Sequence, residues 1–251
     1  MRIEYLYRYP VKGLSAEALE TAEVQEGQAI PWDRAFALAQ GDAPFDPEKP
    51  AWLPKQNFMC GQANARTALL RSMFEPRSGL LAISAPDGAW VAANALTEAG
   101  REQIGRFLTT YLAKEVRGTP RFLHIPGHVF ADNHTPVISL INLASLKDLE
   151  ARVGHRHRRR FRANIWFTGA PAWAEFDWID RELQIGGAVL RVVKRIPRCA
   201  ATEVNPLTAE RDARPVKELR AHFGHSDLGI YAEVIEGGRF AVGDGIELLP
   251  D

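Results

Sequence analysis

Short runs in which apolar residues alternate with polar ones recur along nearly the whole chain, each cut off within a few residues by Pro, Gly or Asp-Gly. The first places Ile3, Tyr5, Tyr7 and Tyr9 on one side and Arg2, Glu4 and Arg8 on the other, the period of two expected of a strand. Pro10 ends it. Further strand-like runs fall at residues 19–24, 35–39, 137–141, 164–168, 182–185, 188–195, 230–234 and 245–249, and residues 79–93 read as a hairpin closed by Pro86-Asp87-Gly88. Between residues 41 and 54, Pro44, Pro47, Pro50 and Pro54 remove backbone donors, which predicts an extended loop. Helical spacing is clear in two places only. Residues 97–113 carry Ile104, Phe107, Leu108, Tyr111 and Leu112 on one face with Thr97 as N-cap, and Leu143, Leu146, Leu149 and Val153 share a face between Asn142 and Gly154. Many short strands with two or three helices predict a β-rich α+β architecture, closed or nearly closed so that its edges are protected.

With 251 residues the chain is long enough for one large domain or two modest ones. A division near residue 120 is expected, and since no linker of distinctive composition marks it, the halves 1–120 and 121–251 pack closely or share strands. Apolar residues make up 46% of the chain, without a continuous apolar stretch of membrane-spanning length. The opening residues lack a basic segment followed by an apolar run, so the expected location is cytoplasmic, with no membrane partner. Thirty-one basic residues balance 31 acidic ones, which leaves no overall field to favour nucleic acid. The sequence has no G-x-G-x-x-G and no phosphate-binding G-x-x-x-x-G-K-[ST] loop.

Two cysteines cannot make a four-thiolate zinc or iron–sulfur site. Cys199 follows a long apolar strand and lies next to Arg198, with Arg195 nearby. Neighbouring positive charge favours the thiolate, which is both a nucleophile and a soft metal ligand; the competing reading is a small buried hydrophobe. Cys60, without flanking charge, reads as structural. The basic run from His155 to Arg162 has the composition of a solvated face or of a phosphate or RNA contact, but Arg162 differs in standing at the entry to a strand, where a guanidinium can clamp a phosphate bidentately. His124, His128 and His134, with His222 and His225, raise a zinc reading that lacks any familiar ligand spacing. A Cys199–His hydrolase dyad is neither supported nor excluded by separation along the chain.

Taken together, Tyr9-Pro10-Val11-Lys12-Gly13, Asp33-Arg34 with Phe36, Phe161-Arg162-Ala163-Asn164-Ile165, Trp173-Ala174-Glu175 with Trp178, Arg198-Cys199 with Thr202 and Asn205-Pro206, and the stretch 229–245 resemble the MOSC family, named for the molybdenum cofactor sulfurase C-terminal domain. The resemblance extends to its bacterial members and to the mitochondrial amidoxime reducing component. The resemblance covers nearly the whole chain and implies a MOSC β-barrel packed closely against an N-terminal β-barrel domain. It further implies a molybdenum cofactor (molybdopterin with Mo), with Cys199 as metal ligand and catalytic residue. Lys12, Arg34, Arg162, Asn164, Arg198, Thr202 and, more weakly, Thr135 are then cofactor-binding residues. The implied activity is two-electron reduction of N-hydroxylated or N-oxygenated small molecules, with a separate electron-transfer protein or reductase as partner. A Cys199 persulfide in a sulfur-transfer protein and a non-catalytic cofactor carrier are the alternatives. Gly13, Pro197 and Pro171 stand at positions where some relatives carry a hydroxyl, relatives often have Ser or Thr, and some have an acidic residue, respectively.

Overall fold

A computed structural model describes residues 1–250. In chain order its elements are β1 (Arg2–Arg8), β2 (Glu17–Ala18), β3 (Thr21–Val24), β4 (Phe36–Ala39), β5 (Arg71–Glu75), β6 (Leu80–Ser84), β7 (Trp90–Asn94), α1 (Glu98–Leu112), β8 (Arg121–His124), β9 (Ile138–Asn142), α2 (Leu143–Val153), β10 (Ile165–Thr168), β11 (Glu182–Ile185), β12 (Ala188–Pro197), α3 (Pro215–Phe223), β13 (Asp227–Glu236), β14 (Gly238–Ala241) and β15 (Ile246–Leu248). No helix among the described residues is long and apolar enough to cross a membrane.

Eight strands form one sheet in the order β15-β11-β12-β13-β9-β10-β1-β2. All neighbours are antiparallel except β9 and β10, and a parallel pair needs a crossover, which α2 supplies. Asn142 starts that helix by accepting from the Ala144 N–H, and Gly154 at φ 81° ends it. The sheet curls until β15 returns beside β1: the Ile246 N–H donates to the Met1 carbonyl and the Ile3 N–H to the Asp244 carbonyl. The β-rich, closed form expected from the strand pattern is thus present, and its interior is filled by Ile138, Leu140, Ile165, Phe167, Leu190 and Ile230.

Strand β1 departs from a strict period of two. Its register with β10 shifts between Ile3 and Tyr5, a bulge that rotates the strand. Ile3 and Leu6 therefore face the barrel core, whereas Tyr7 and Tyr9 join a second cluster with Leu146 and Leu149 of α2. The single apolar face of Ile3, Tyr5, Tyr7 and Tyr9 is split between two cores.

The two halves share strands. β1 and β2 extend the sheet built by β9 to β13, β3 pairs with β14, and β4 pairs with β8. The first half adds the antiparallel sheet β5-β6-β7, whose Leu81 and Ile83 pack with Ile104 and Leu108 of α1 around Phe36 and Phe74. Thr97 caps α1 by accepting from the Gly100 N–H. Reading by period misses α3, β5, β8 and β14. Helix α3 buries only Pro215 and Leu219, too few for a stripe, and β8 has four residues hemmed between Pro120 and Pro126.

Candidate functional site

At Pro197 strand β12 ends, and Cys199 follows in extended backbone before a 3-10 turn at Ala200–Glu203. Thr202 locks the turn, its hydroxyl donating to the Cys199 carbonyl at 2.8 Å and its N–H to the same oxygen at 3.0 Å. The half-buried Cys199 lines a cavity of about 340 Å³. Both chain halves wall it, Lys12, Arg34 and Lys55 from the first and Arg162, Arg198 and Cys199 from the second. Arg211 stitches the walls together by donating to the carbonyls of Ala200 (2.9 Å), Gly61 (3.4 Å) and Gln62 (2.6 Å).

The wall carries seven cationic side chains and one carboxylate, Asp132. Lys12 is buried and donates to the Phe130 carbonyl at 2.9 Å and to Asp132. Burial pushes its ammonium below the usual lysine range against the pull of Asp132. Burial would raise the Asp132 carboxyl, but Lys12, helped by Lys55 and Arg34, holds it below the usual range. Arg34 pairs with Asp33 and lies 4.8 Å from the centre of the Tyr9 ring, and Arg162 lies 4.3 Å from the same ring. Burial works against the Arg34 charge, yet Asp33, Tyr9 and Tyr231 outweigh it and leave its pKa raised; at Arg162 burial prevails and lowers it. The Tyr9 hydroxyl is pushed up to about 12, chiefly by burial. Arg34 and Arg162 are both held at positive φ, 52° and 53°, a costly backbone state for a side-chain-bearing residue that concentrates at functional sites.

Arg198 donates to the carbonyls of Leu228 and Phe161, and burial lowers its pKa to about 10. Neither Arg162 nor Arg198 forms a salt bridge with a carboxylate among the described residues. Buried Arg160 pairs with Asp212 but leaves its Nε without a partner. Burial lowers the Lys55 pKa, but the neighbouring Cys199, Asp132 and Cys60 outweigh it and leave it raised. Guanidiniums without carboxylate partners, lining one cavity with a thiol and an ammonium, suit an anionic group that also offers a soft metal.

Lys12, Arg34, Arg162, Arg198, Cys199 and Thr202 meet at this cavity; Asn164 and Thr135 do not line it. Asn164 is buried, its Oδ1 accepting from the Ser139 N–H and hydroxyl and its Nδ2 donating to the Tyr7 carbonyl. It ties β1, β9 and the entry to β10 together beneath Arg162. The Thr135 hydroxyl donates to Glu233 at 2.9 Å and lines a neighbouring hollow. Motif reading missed Lys55, Lys194, Asp132 and Tyr231, which stand in no recognisable pattern; buried Cys60 also lines the cavity. The histidines pack against rings, His124 on Phe36, His134 on Trp52 and His225 on Phe176. No three His, Cys, Asp or Glu side chains gather as a metal site among the described residues.

Residues 1–115 match the MOSC N-terminal beta barrel domain and residues 127–247 match the MOSC domain. The chain belongs to the MOSC family. Mitochondrial amidoxime reducing component 2 of Rattus norvegicus is 27% identical over 179 residues, 60% of this chain and 52% of that protein. The Bos taurus protein of the same name is 32% identical over 122 residues, 43% of this chain and 36% of that protein. The chain thus spans about half or less of these curated relatives. Among solved structures, the YUAD protein from Bacillus subtilis aligns over 98% of this chain and 94% of its own with a TM-score of 0.46 and 14% identity.

Within this MOSC chain two of the departures, Gly13 and Pro171, can be placed locally. At Gly13 φ is +86°, and a Cβ would stand 2.9 Å from the Met59 carbonyl oxygen, so a hydroxyl-bearing side chain has no room. Pro171 lies outside the cavity wall, its carbonyl accepting from Asn142 Nδ2 at 2.7 Å. The Trp173-Ala174-Glu175 segment is structural: buried Glu175 accepts from Ser145 and Asn142, and Trp173 Nε1 donates to Asp148.

Proposed function

We propose that this protein is a molybdenum-cofactor-dependent oxidoreductase that reduces N-hydroxylated or N-oxygenated compounds by two electrons supplied from a separate donor. The observation that carries the reading is the cavity itself, where Cys199 and Lys55 share a wall with Arg162 and Arg198, neither of which has a carboxylate partner among the described residues. When bound, the pterin-held metal supplies the two-electron redox couple. Cys199 is the thiolate that holds the metal, with Lys55 on the same wall of the cavity. Arg162, Arg198 and Arg34 hold the phosphate and pterin end, their planar donors suited to bidentate contact with phosphate oxygens. Lys12, buried and paired with Asp132 on the same wall, adds a cationic donor to the cofactor site. Asn164 acts indirectly, by fixing the strand entry that carries Arg162. Two cysteines cannot build a four-thiolate iron–sulfur cluster, and the sequence has no dinucleotide fingerprint, which favours an external donor.

Elemental and fluorescent-pterin analysis of purified wild type and Cys199→Ser tests the reading. Wild type should contain about one molybdenum per chain and reduce a test amidoxime with a strong artificial reductant but not with NADPH alone. The variant should remain folded, lose most of the metal and show no turnover. Cyanide-labile sulfur without metal would replace this reading with a Cys199 persulfide, and full metal without turnover under any donor would leave a carrier.

A further inference from the structure

Two loop segments that wall the proposed cofactor cavity also wall a second one of opposite character. Along residues 50–55, Lys55 lines the cavity of Cys199, whereas Pro50 and Trp52 line a separate hollow of about 240 Å³. Along residues 131–136, Asp132 lines the first, and His134 and Pro136 line the second. Among the described residues only Asn133 lines both. The cofactor cavity is crowded with cations, but the wall of the hollow carries no Lys, Arg, Asp or Glu.

Flat rings dominate that wall. Trp52 and His134 stand ring on ring, with centres 4.0 Å and planes 30° apart. His128 is set edge-on to buried Phe130, with 4.8 Å between centres and 78° between planes. Burial pushes the His128 imidazole below the usual histidine range, which keeps it uncharged near neutral pH. Pro50 and Pro136 add rigid wall without backbone donors, and the Thr135 hydroxyl already donates to Glu233. A charged guest would lose its water here without gaining a counter-charge. A flat, uncharged one gains ring contacts, since aromatic faces and edges attract in offset or edge-to-face pairs. An apolar cavity of about 150 Å³ accommodates benzene, so 240 Å³ has room for one substituted ring or a fused pair.

The geometry points to this hollow as the binding site for a flat, uncharged ring of the substrate, with Trp52 and His134 selecting aromatic over small aliphatic N-hydroxylated compounds. This rests on the reductase reading of the adjoining cavity. With Asn133 on both walls, one molecule can lay its ring in the hollow and present its N–O group to the cavity of Cys199.

Two measurements on the cofactor-loaded protein test this. Ligand-observed NMR titration with benzamide, a flat uncharged ring without an N–O bond to reduce, reads the hollow independently of turnover. Steady-state reduction of benzamidoxime and of acetamidoxime with a strong artificial reductant reads the selectivity. Wild type should bind benzamide and favour the aromatic substrate. Trp52→Leu, and His134→Ala at an exposed position that tolerates substitution, should each weaken benzamide binding. Each should also lower the benzamidoxime-to-acetamidoxime ratio of kcat/KM by roughly 2- to 10-fold. The loss should fall on the KM of benzamidoxime, with molybdenum and pterin content at the wild-type level. Benzamide binding that weakens in both variants, without turnover of either substrate by wild type, would uphold the hollow and overturn the reductase reading instead. The inference is overturned if both variants keep the wild-type affinity and ratio, or if wild type neither binds benzamide nor prefers the aromatic substrate. It is also overturned if either variant is stripped of metal and pterin, which would make the hollow part of the cofactor site.

Discussion

At Gly13 a left-handed backbone meets a neighbour that cannot move aside: the nearest atom to an added Cβ is the Met59 carbonyl oxygen, with Cys60 Cα next at 3.2 Å. Restoring the hydroxyl that relatives carry, by Gly13→Ser, is expected to cost ~1–3 kcal/mol of stability and to reduce cofactor occupancy by displacing Lys12; chemical denaturation and metal analysis measure the two effects. A variant as stable and as loaded as wild type would show that the loop at residues 59 and 60 yields freely. The basic run also divides by residue, though not as its sequence suggests. Arg158 looks like an ordinary surface residue, yet its guanidinium lies 3.9 Å from the Tyr5 ring centre and donates to the Tyr7 hydroxyl. Arg158→Ala is therefore expected to lower stability by ~1 kcal/mol with molybdenum retained, whereas Arg162→Ala should lose most of the cofactor. Equal metal losses would assign the whole run to the cofactor site.

Among the elements, the joint between α2 and the 3-10 turn at Ala174–Trp178 carries a buried carboxyl. Burial raises the Glu175 pKa, and the hydrogen bonds from Ser145 and Asn142 offset only part of that shift. A carboxyl whose folded pKa lies above its unfolded value of ~4.3 favours the folded state most when protonated, so its contribution falls as pH rises from that value through the folded pKa. The stability difference between wild type and Glu175→Gln should accordingly move in favour of the variant over that rise, whatever its constant offset. A pH-independent difference in urea titrations would remove the claim. This joint also marks how far the sequence could be read. Caps at Thr97 and Asn142 and the hairpin turn at residues 86–88 carry their structure in local chemistry and appear where expected. The bulge in β1 leaves no local mark because its cause is pairing with β10, more than 150 residues away. Likewise Arg162, Arg198 and Cys199 stand in motifs, whereas Lys55, on a short 3-10 turn after the proline-rich loop, and Tyr231, on β13, reach the cavity only through the tertiary fold.

For the molecule as a whole, the shared strands decide which pieces can stand alone. The barrel formed mainly by the second half takes Ile3, Leu6, Val24 and Ile30 from the first half into its core. Burying a large aliphatic side chain is worth ~1.5–3 kcal/mol, so four of them account for roughly 6–12 kcal/mol, comparable with the ~5–15 kcal/mol that separates a typical native domain from its unfolded state. Losing β1 and β3 also leaves β10 and β14 without their antiparallel partners, exposing edges that invite aggregation. Residues 121–251 expressed alone are therefore expected to show neither a cooperative unfolding transition nor bound molybdenum, and residues 1–120 to lack β8, the partner of β4. Co-expression of the two fragments should restore both properties, because the pairing is non-covalent and the cut at residue 120 falls just before β8, at a surface connection. Circular dichroism melts and metal analysis of each fragment and of the co-expressed pair measure this. A cooperative melt from residues 121–251 alone would show that the second half closes its barrel without β1, and the sequence boundary near residue 120 would then mark an autonomous domain.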